Sequence, residues 1–217
     1  MSAADSPDRL GPHGFPLLLE AVAAQDVRQV QALPKAGAQL KWAVDPQSGL
    51  TALMEAGSQN HQELVRALLN AGADPQEVDR DGADALMHAA GSAGPEVLRD
   101  LLDAGATPQG ADRHGRTALH RLAARDAWES TELLLSRGAD LEATTLDGLT
   151  PLMIAARCGA RNVLQRFVLH GASIFTLDCS GTSAVQWARE GGFPELAHWL
   201  RDLGVHEHSS LSETPNA

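Results

Sequence analysis

One spacing constrains this chain more than any other: a short apolar segment recurs at a fixed interval. Its fullest copy is Thr150-Pro151-Leu152-Met153-Ile154-Ala155-Ala156. Echoes stand at Thr51-Ala52-Leu53-Met54, Asp84-Ala85-Leu86-Met87 and Thr117-Ala118-Leu119-His120, with a weaker one at Ser183-Ala184-Val185-Gln186. The first residues are 51, 84, 117, 150 and 183, so every step is 33 with no insertion. A glycine precedes each start by two positions (Gly49, Gly82, Gly115, Gly148, Gly181), and another recurs late in each unit (Gly72, Gly105, Gly138, Gly171, Gly204). A degenerate copy runs from Pro16 to Gly37-Ala38, offset by two extra residues from the next. A fixed period of this length is the mark of a repeat architecture.

Each recurring feature has a physical task. The first glycine lets the chain adopt a positive φ in a tight turn. A Thr or Ser then caps a short helix, whose Leu and Ala positions pack closely. A second helix follows, for example over Gln62 to Ala71, with Leu64, Val65, Leu68 and Leu69 at helical spacing. The later glycine is expected to close it as a left-handed C-cap. Polar stretches such as Asp74 to Asp81 suit an extended linker. One such unit cannot bury its own apolar face, so the units must stack.

The period, the Thr-Pro-Leu-Met-Ile-Ala-Ala segment and the Leu68-Leu69 and Gly72-Ala73-Asp74 pieces resemble the ankyrin repeat family. The resemblance covers about residues 15–204. It implies an all-α solenoid of helix-turn-helix and β-turn units, about six repeats with the first degenerate. Expected repeats are 15–45, 46–78, 79–111, 112–144, 145–177 and 178–204, between mobile tails at 1–14 and 205–217. The family's folds serve many partners, so the resemblance is specific for fold and not for partner.

Departures from the pattern carry their own expectations. Pro34 should end the second helix of the first repeat early. The last repeat replaces the apolar pair with Leu200-Arg201, as an end repeat with a solvated outer face would. Ser130 and Thr131 stand where other second helices carry Val97-Leu98 or Val163-Leu164, so that helix should be the least tightly held.

Composition removes other classes. The 217 residues include 17 basic and 28 acidic side chains, a formal charge of −11, which disfavours nucleic acid as a partner. Aromatics are only 4%, so the core must be Leu, Ala and Val. Cys158 and Cys179 make neither a disulfide framework nor a zinc quartet. No apolar run reaches the ~18 residues of a membrane span or the form of a secretory signal. The expectation is a cytoplasmic monomer with no cofactor, no metal and no membrane contact.

Nor does any motif point to catalysis. No P-loop, Gly-x-Gly-x-x-Gly, His-Glu-x-x-His or Gly-x-Ser-x-Gly occurs. The resemblance assigns His120 to local hydrogen bonds. His88 lies one position later and is expected to face solvent or a partner. His206 and His208 flank Glu207 near the C-terminus, a weak and adventitious metal pair at most. Cys158 and Cys179 lack the basic neighbours of a tuned thiol pair. An enzyme built on these residues is the weaker rival.

One charge pattern stands apart. Arg113, Arg116, Arg121 and Arg125 bound and fill the segment 113–125, which contains no acid. Spaced by four, Arg121 and Arg125 should share a helix face. The resemblance places turn tips and first helices on a concave binding face, where Arg80 and Arg157 would join from neighbouring repeats. The expected function is therefore non-catalytic protein–protein binding, as a scaffold or adaptor, with an acidic partner segment held by arginine forks. The expected contacts are Arg80, Asp81, Arg113, His114, Arg116, Arg121, Arg125 and Arg157, with Leu146 and Leu149 as apolar anchors. The alternative is an acidic inhibitor that occludes a basic enzyme or toxin with its exterior.

Overall fold

The computed structural model describes residues 21–22, 24–32, 47–92 and 94–211. The expectations for residues 1–14, Pro34 and residues 212–217 lie outside these, as do the side chains of His206 and His208. Two compact units divide the chain, Met1–Arg113 and His114–Ala217.

The first unit holds α1 (Val27–Ala32), α2 (Ala52–Ser58), α3 (Gln62–Asn70), α4 (Ala85–Ala90) and α5 (Pro95–Asp103). The second holds α6 (Ala118–Ala123), α7 (Trp128–Ser136), α8 (Pro151–Cys158), α9 (Arg161–Leu169), α10 (Ala184–Glu190) and α11 (Pro194–Leu211). No strand longer than a single bridge residue occurs among the described residues. Isolated antiparallel bridges join Val78 to Asp84 and Leu177 to Ser183, where each linker turns back towards a first helix.

Helices of six to eight residues, such as α4 and α8, are too short to persist alone in water. Stacking sustains them. In the first unit α2 packs on α4, and α1 and α5 flank α3; in the second α6, α8 and α10 form one row, with α7 against α9. The α3 side chains Leu64, Val65 and Leu68 are fully buried, each contributing roughly 1.5–3 kcal/mol. Phe167 of α9 is the largest fully buried side chain among the described residues.

Short polar side chains open the first helices as their sequence requires. Thr51 Oγ1 accepts the N–H of Met54 at 3.2 Å, Asp84 Oδ1 that of Met87 at 2.8 Å, and Thr150 Oγ1 that of Met153 at 3.3 Å. At Thr117 the cap runs the other way: its N–H donates to Nδ1 of His120 at 3.1 Å. His120 Nε2 then donates to the carbonyl of Leu149 at 3.0 Å, tying α6 to the following turn. This local bonding of His120 is what the family resemblance implied.

Two expectations change. Gly72, Gly105, Gly138 and Gly171 do take positive φ after their helices, but Gly204 stays inside α11, buried beside Phe175. No breaker follows it before Pro215, so the helical backbone runs to Leu211, past residue 204. Arg125 also leaves the face expected for it. Helix α6 ends at Ala123, Arg125 N–H bonds back only three positions to Leu122, and Asp126 takes φ +55°. Arg121 and Arg125 therefore do not share a helix. In α7, Ser130 and Thr131 are buried, and Thr131 Oγ1 donates to the Ala127 carbonyl at 2.9 Å.

Candidate protein-binding surface

The turn tips of each unit are joined through the backbone. In the first unit Arg80 N–H donates to the Ser48 carbonyl at 2.9 Å, and Arg113 N–H to that of Asp81 at 2.8 Å. In the second, Leu146 N–H donates to the His114 carbonyl at 2.9 Å, and Cys179 N–H to that of Asp147 at 3.0 Å. The partners of every bond stand one position short of a full period apart, so each tip leans on the one before it. The glycine at the base of the tip makes this approach possible. A Cβ on Gly148, at φ +77°, would stand 2.8 Å from the Cys179 nitrogen. At Gly181, also at positive φ, nothing lies within 4 Å of such a Cβ.

Beneath two of the tips a carboxylate organises the turn. Asp79 Oδ1 accepts the N–H groups of Asp81 and Ala83 at 2.8 and 2.9 Å, while Oδ2 meets His88 Nε2 at 2.8 Å. Asp178 repeats the arrangement with Ser180 and Thr182, and its Oδ2 accepts the indole N–H of Trp187 at 2.9 Å. Burial alone would push the Asp79 carboxyl up. The His88 ring and the N–H groups of Ala83 and Asp81 outweigh it, holding Asp79 below the ordinary carboxylate range. The Thr182 N–H does most to hold Asp178 down, aided by Ser180 and Trp187 against burial.

The tip at residues 145–148 lacks this pair. Thr145 replaces the aspartate and Ile154 stands nine positions on, where His88 and Trp187 stand elsewhere. Thr145 Oγ1 accepts the Leu149 N–H at 3.1 Å, which secures the turn, but Ile154 has nothing to offer a carboxylate. A cleft of about 310 Å³ opens at this place, lined by His114, Arg116, Thr145, Asp147, Leu149, Ile154 and Arg157. The Arg157 guanidinium lies over the Trp187 ring, 5.1 Å from its centre.

Of the ten residues expected at the site, His114, Arg116, Leu149 and Arg157 meet at this cleft. Leu146 is a tip residue, 72% exposed. Arg121 is half-buried on α6, and Arg125 lies in the turn after it. In the first unit Arg80 is an exposed tip residue, and Asp81 pairs with Arg113 at 3.2 Å on the surface. That contact offsets part of the positive charge read from the arginine run. Thr145 and Ile154 were not expected at the site. Aligning residues 79, 112, 145 and 178, and those nine further on, isolates them as the one non-aspartate and the one apolar aliphatic member.

The cysteines stand where the period puts them, Cys158 ending α8 and Cys179 on a tip, both exposed and unbridged. Among the described residues no cluster of three or more His, Cys, Asp or Glu could hold a metal ion. No helix among them is long and apolar enough to cross a membrane.

Stacked pairs of short helices, joined by glycine-based tips that bond to one another at a fixed interval, define a helix-pair repeat protein. The family profile described as Ankyrin repeats (3 copies) matches residues 18–112, 95–178 and 119–209, and the chain belongs to the ankyrin repeat family. No curated protein shows a significant match to it. Proteins of this family are typically non-catalytic interaction modules.

Proposed function

We propose that the chain is a non-catalytic protein-binding adaptor, an array of six repeats over residues 15–204 whose partner docks on the turn tips and first helices. One observation carries this reading. Within each unit neighbouring tips are held to one another by main-chain hydrogen bonds, so the donors and acceptors of the joint are peptide groups and not side chains. A rigid support whose outward side chains are not dictated by its own assembly is what a recognition surface needs.

In the second unit the proposed contacts are His114, Arg116, Arg121, Arg125, Leu146, Leu149 and Arg157. In the first unit they are Arg80, Asp81 and Arg113, where the Arg113–Asp81 pair makes the surface mixed in sign.

The test begins with capture of the partner by the purified chain and its identification by mass spectrometry. Alanine at Arg80, Arg113 and Leu146 should then weaken that partner by roughly tenfold or more. Alanine at Glu63, Arg99 and Gln165, exposed on the second helices, should leave it unchanged. A basic partner that survives the tip substitutions and dissociates with salt would instead favour the acidic exterior as the binding surface.

A further inference from the structure

We infer that the cleft at Thr145 and Ile154 is a side-chain pocket for a peptide segment in which an apolar residue stands beside an aspartate or glutamate. The inference rests on the protein-binding reading and assigns its partner a chemistry.

One turn of the second unit lacks a pair that two others have. Where Asp79 with His88 and Asp178 with Trp187 close their turns, a carboxylate bonded to a ring nitrogen links the tip to the first helix. Thr145 is shorter than aspartate and already engaged with the Leu149 N–H. Ile154 is aliphatic and cannot reach back by a hydrogen bond. The turn keeps its shape and the link is absent. A hollow remains whose apolar surface comes from Ile154 and Leu149 and whose rim carries charge.

Its size limits the occupant. About 310 Å³ lies at the small end of ligand sites, suited to one side chain and its backbone. Its charge selects among such segments. Arg116 and Arg157 are two arginines among the lining residues, whose one acidic member is Asp147. In a chain of net charge −11 this is a local inversion of sign. An acidic segment meets repulsion over most of the surface and attraction here, which favours one register over others. Arginine fits a carboxylate through two parallel bonds. Arg157 is steadied by its stacking on Trp187, so it loses less freedom on binding than an unstacked arginine would.

A displayed library of random linear peptides tests this without knowledge of the natural partner. The full chain is the bait, in parallel with two variants. Thr145→Asp with Ile154→His transplants the Asp79–His88 pair and should close the hollow. Arg116→Glu with Arg157→Glu leaves the hollow and inverts its rim. The expected result is enrichment of an apolar residue adjacent to Asp or Glu. Synthetic peptides of that pattern should bind each variant roughly tenfold or more weakly than the parent chain. The control, Arg99→Glu with Arg161→Glu, makes the same change of charge elsewhere and should bind as the parent does.

Thermal unfolding of each variant separates loss of the hollow from loss of fold, and the Arg116/Arg157 variant alters exposed side chains only. Enriched peptides that are basic, or that bind both variants like the parent, would overturn the pocket and leave the protein-binding function standing. Selection of no peptide at all would overturn the pocket and count against that function as well.

Discussion

The carboxylate of Asp79 bonds to the ring of His88, nine positions further along the chain, at 2.8 Å. The same carboxylate holds two turn N–H groups, so one side chain fixes both the tip and its distance from α4. Its folded pKa lies below the unfolded value of about 3.9. The stability it contributes is thus whole above that value and is lost as pH falls through the lower folded value. Asp79→Asn should cost about 1–2 kcal/mol at neutral pH and flatten the loss of stability below about pH 4. Urea unfolding at a series of pH values measures both. An unchanged acid limb would mean that the carboxylate's bonds contribute nothing to folding.

Gly148 and Gly181 share a positive φ but not a neighbour. Gly181→Ala should cost about 1–2 kcal/mol, the penalty for a left-handed alanine. Gly148→Ala carries that cost and also forces its Cβ against the Cys179 nitrogen, for a total of roughly 3 kcal/mol or more. Paired denaturation curves decide it. Equal losses would show that the tips move apart freely.

Thr131 is buried in α7, and its N–H and hydroxyl both donate to the Ala127 carbonyl. Thr131→Val removes the hydroxyl and leaves that carbonyl satisfied by the N–H. The substitution should be neutral or stabilising by up to about 1 kcal/mol. Amide exchange over Trp128–Ser136 should slow or stay the same. Marked destabilisation would mean that the hydroxyl bond holds the helix in place.

Phe167 and Leu169 sit two positions apart on α9, one fully buried and the other 76% exposed. Phe167→Ala should cost about 3–5 kcal/mol, whereas Leu169→Ser should stay within about 0.5 kcal/mol. Comparison of their thermal unfolding with the parent's tests the assignment of the two faces.

The period exposed nearly all of the helix and turn scheme, because a tip bond of constant span and a glycine that must admit a neighbour tolerate no insertion. Side-chain positions near element ends were less legible. Spacing alone put Arg121 and Arg125 on one face, but α6 stops at Ala123 and the turn sets the direction of Arg125. The arginine run by itself overstates the positive charge of this surface, because Asp81, nearly a full repeat earlier in the chain, pairs with Arg113. The hollow at Ile154 was written in the repeats as a difference at one aligned pair. A search for what the copies share passes over such a difference.

The ladder of tip bonds also bears on how such a surface can change over generations. Its donors and acceptors are peptide groups, and only proline lacks the donor. Positions 80, 113, 146 and 179, now Arg, Arg, Leu and Cys, can each accept most other side chains without breaking a rung. Mutational drift at these four positions is therefore decoupled from fold stability, and a lineage can acquire a new binding preference without first reinforcing its core.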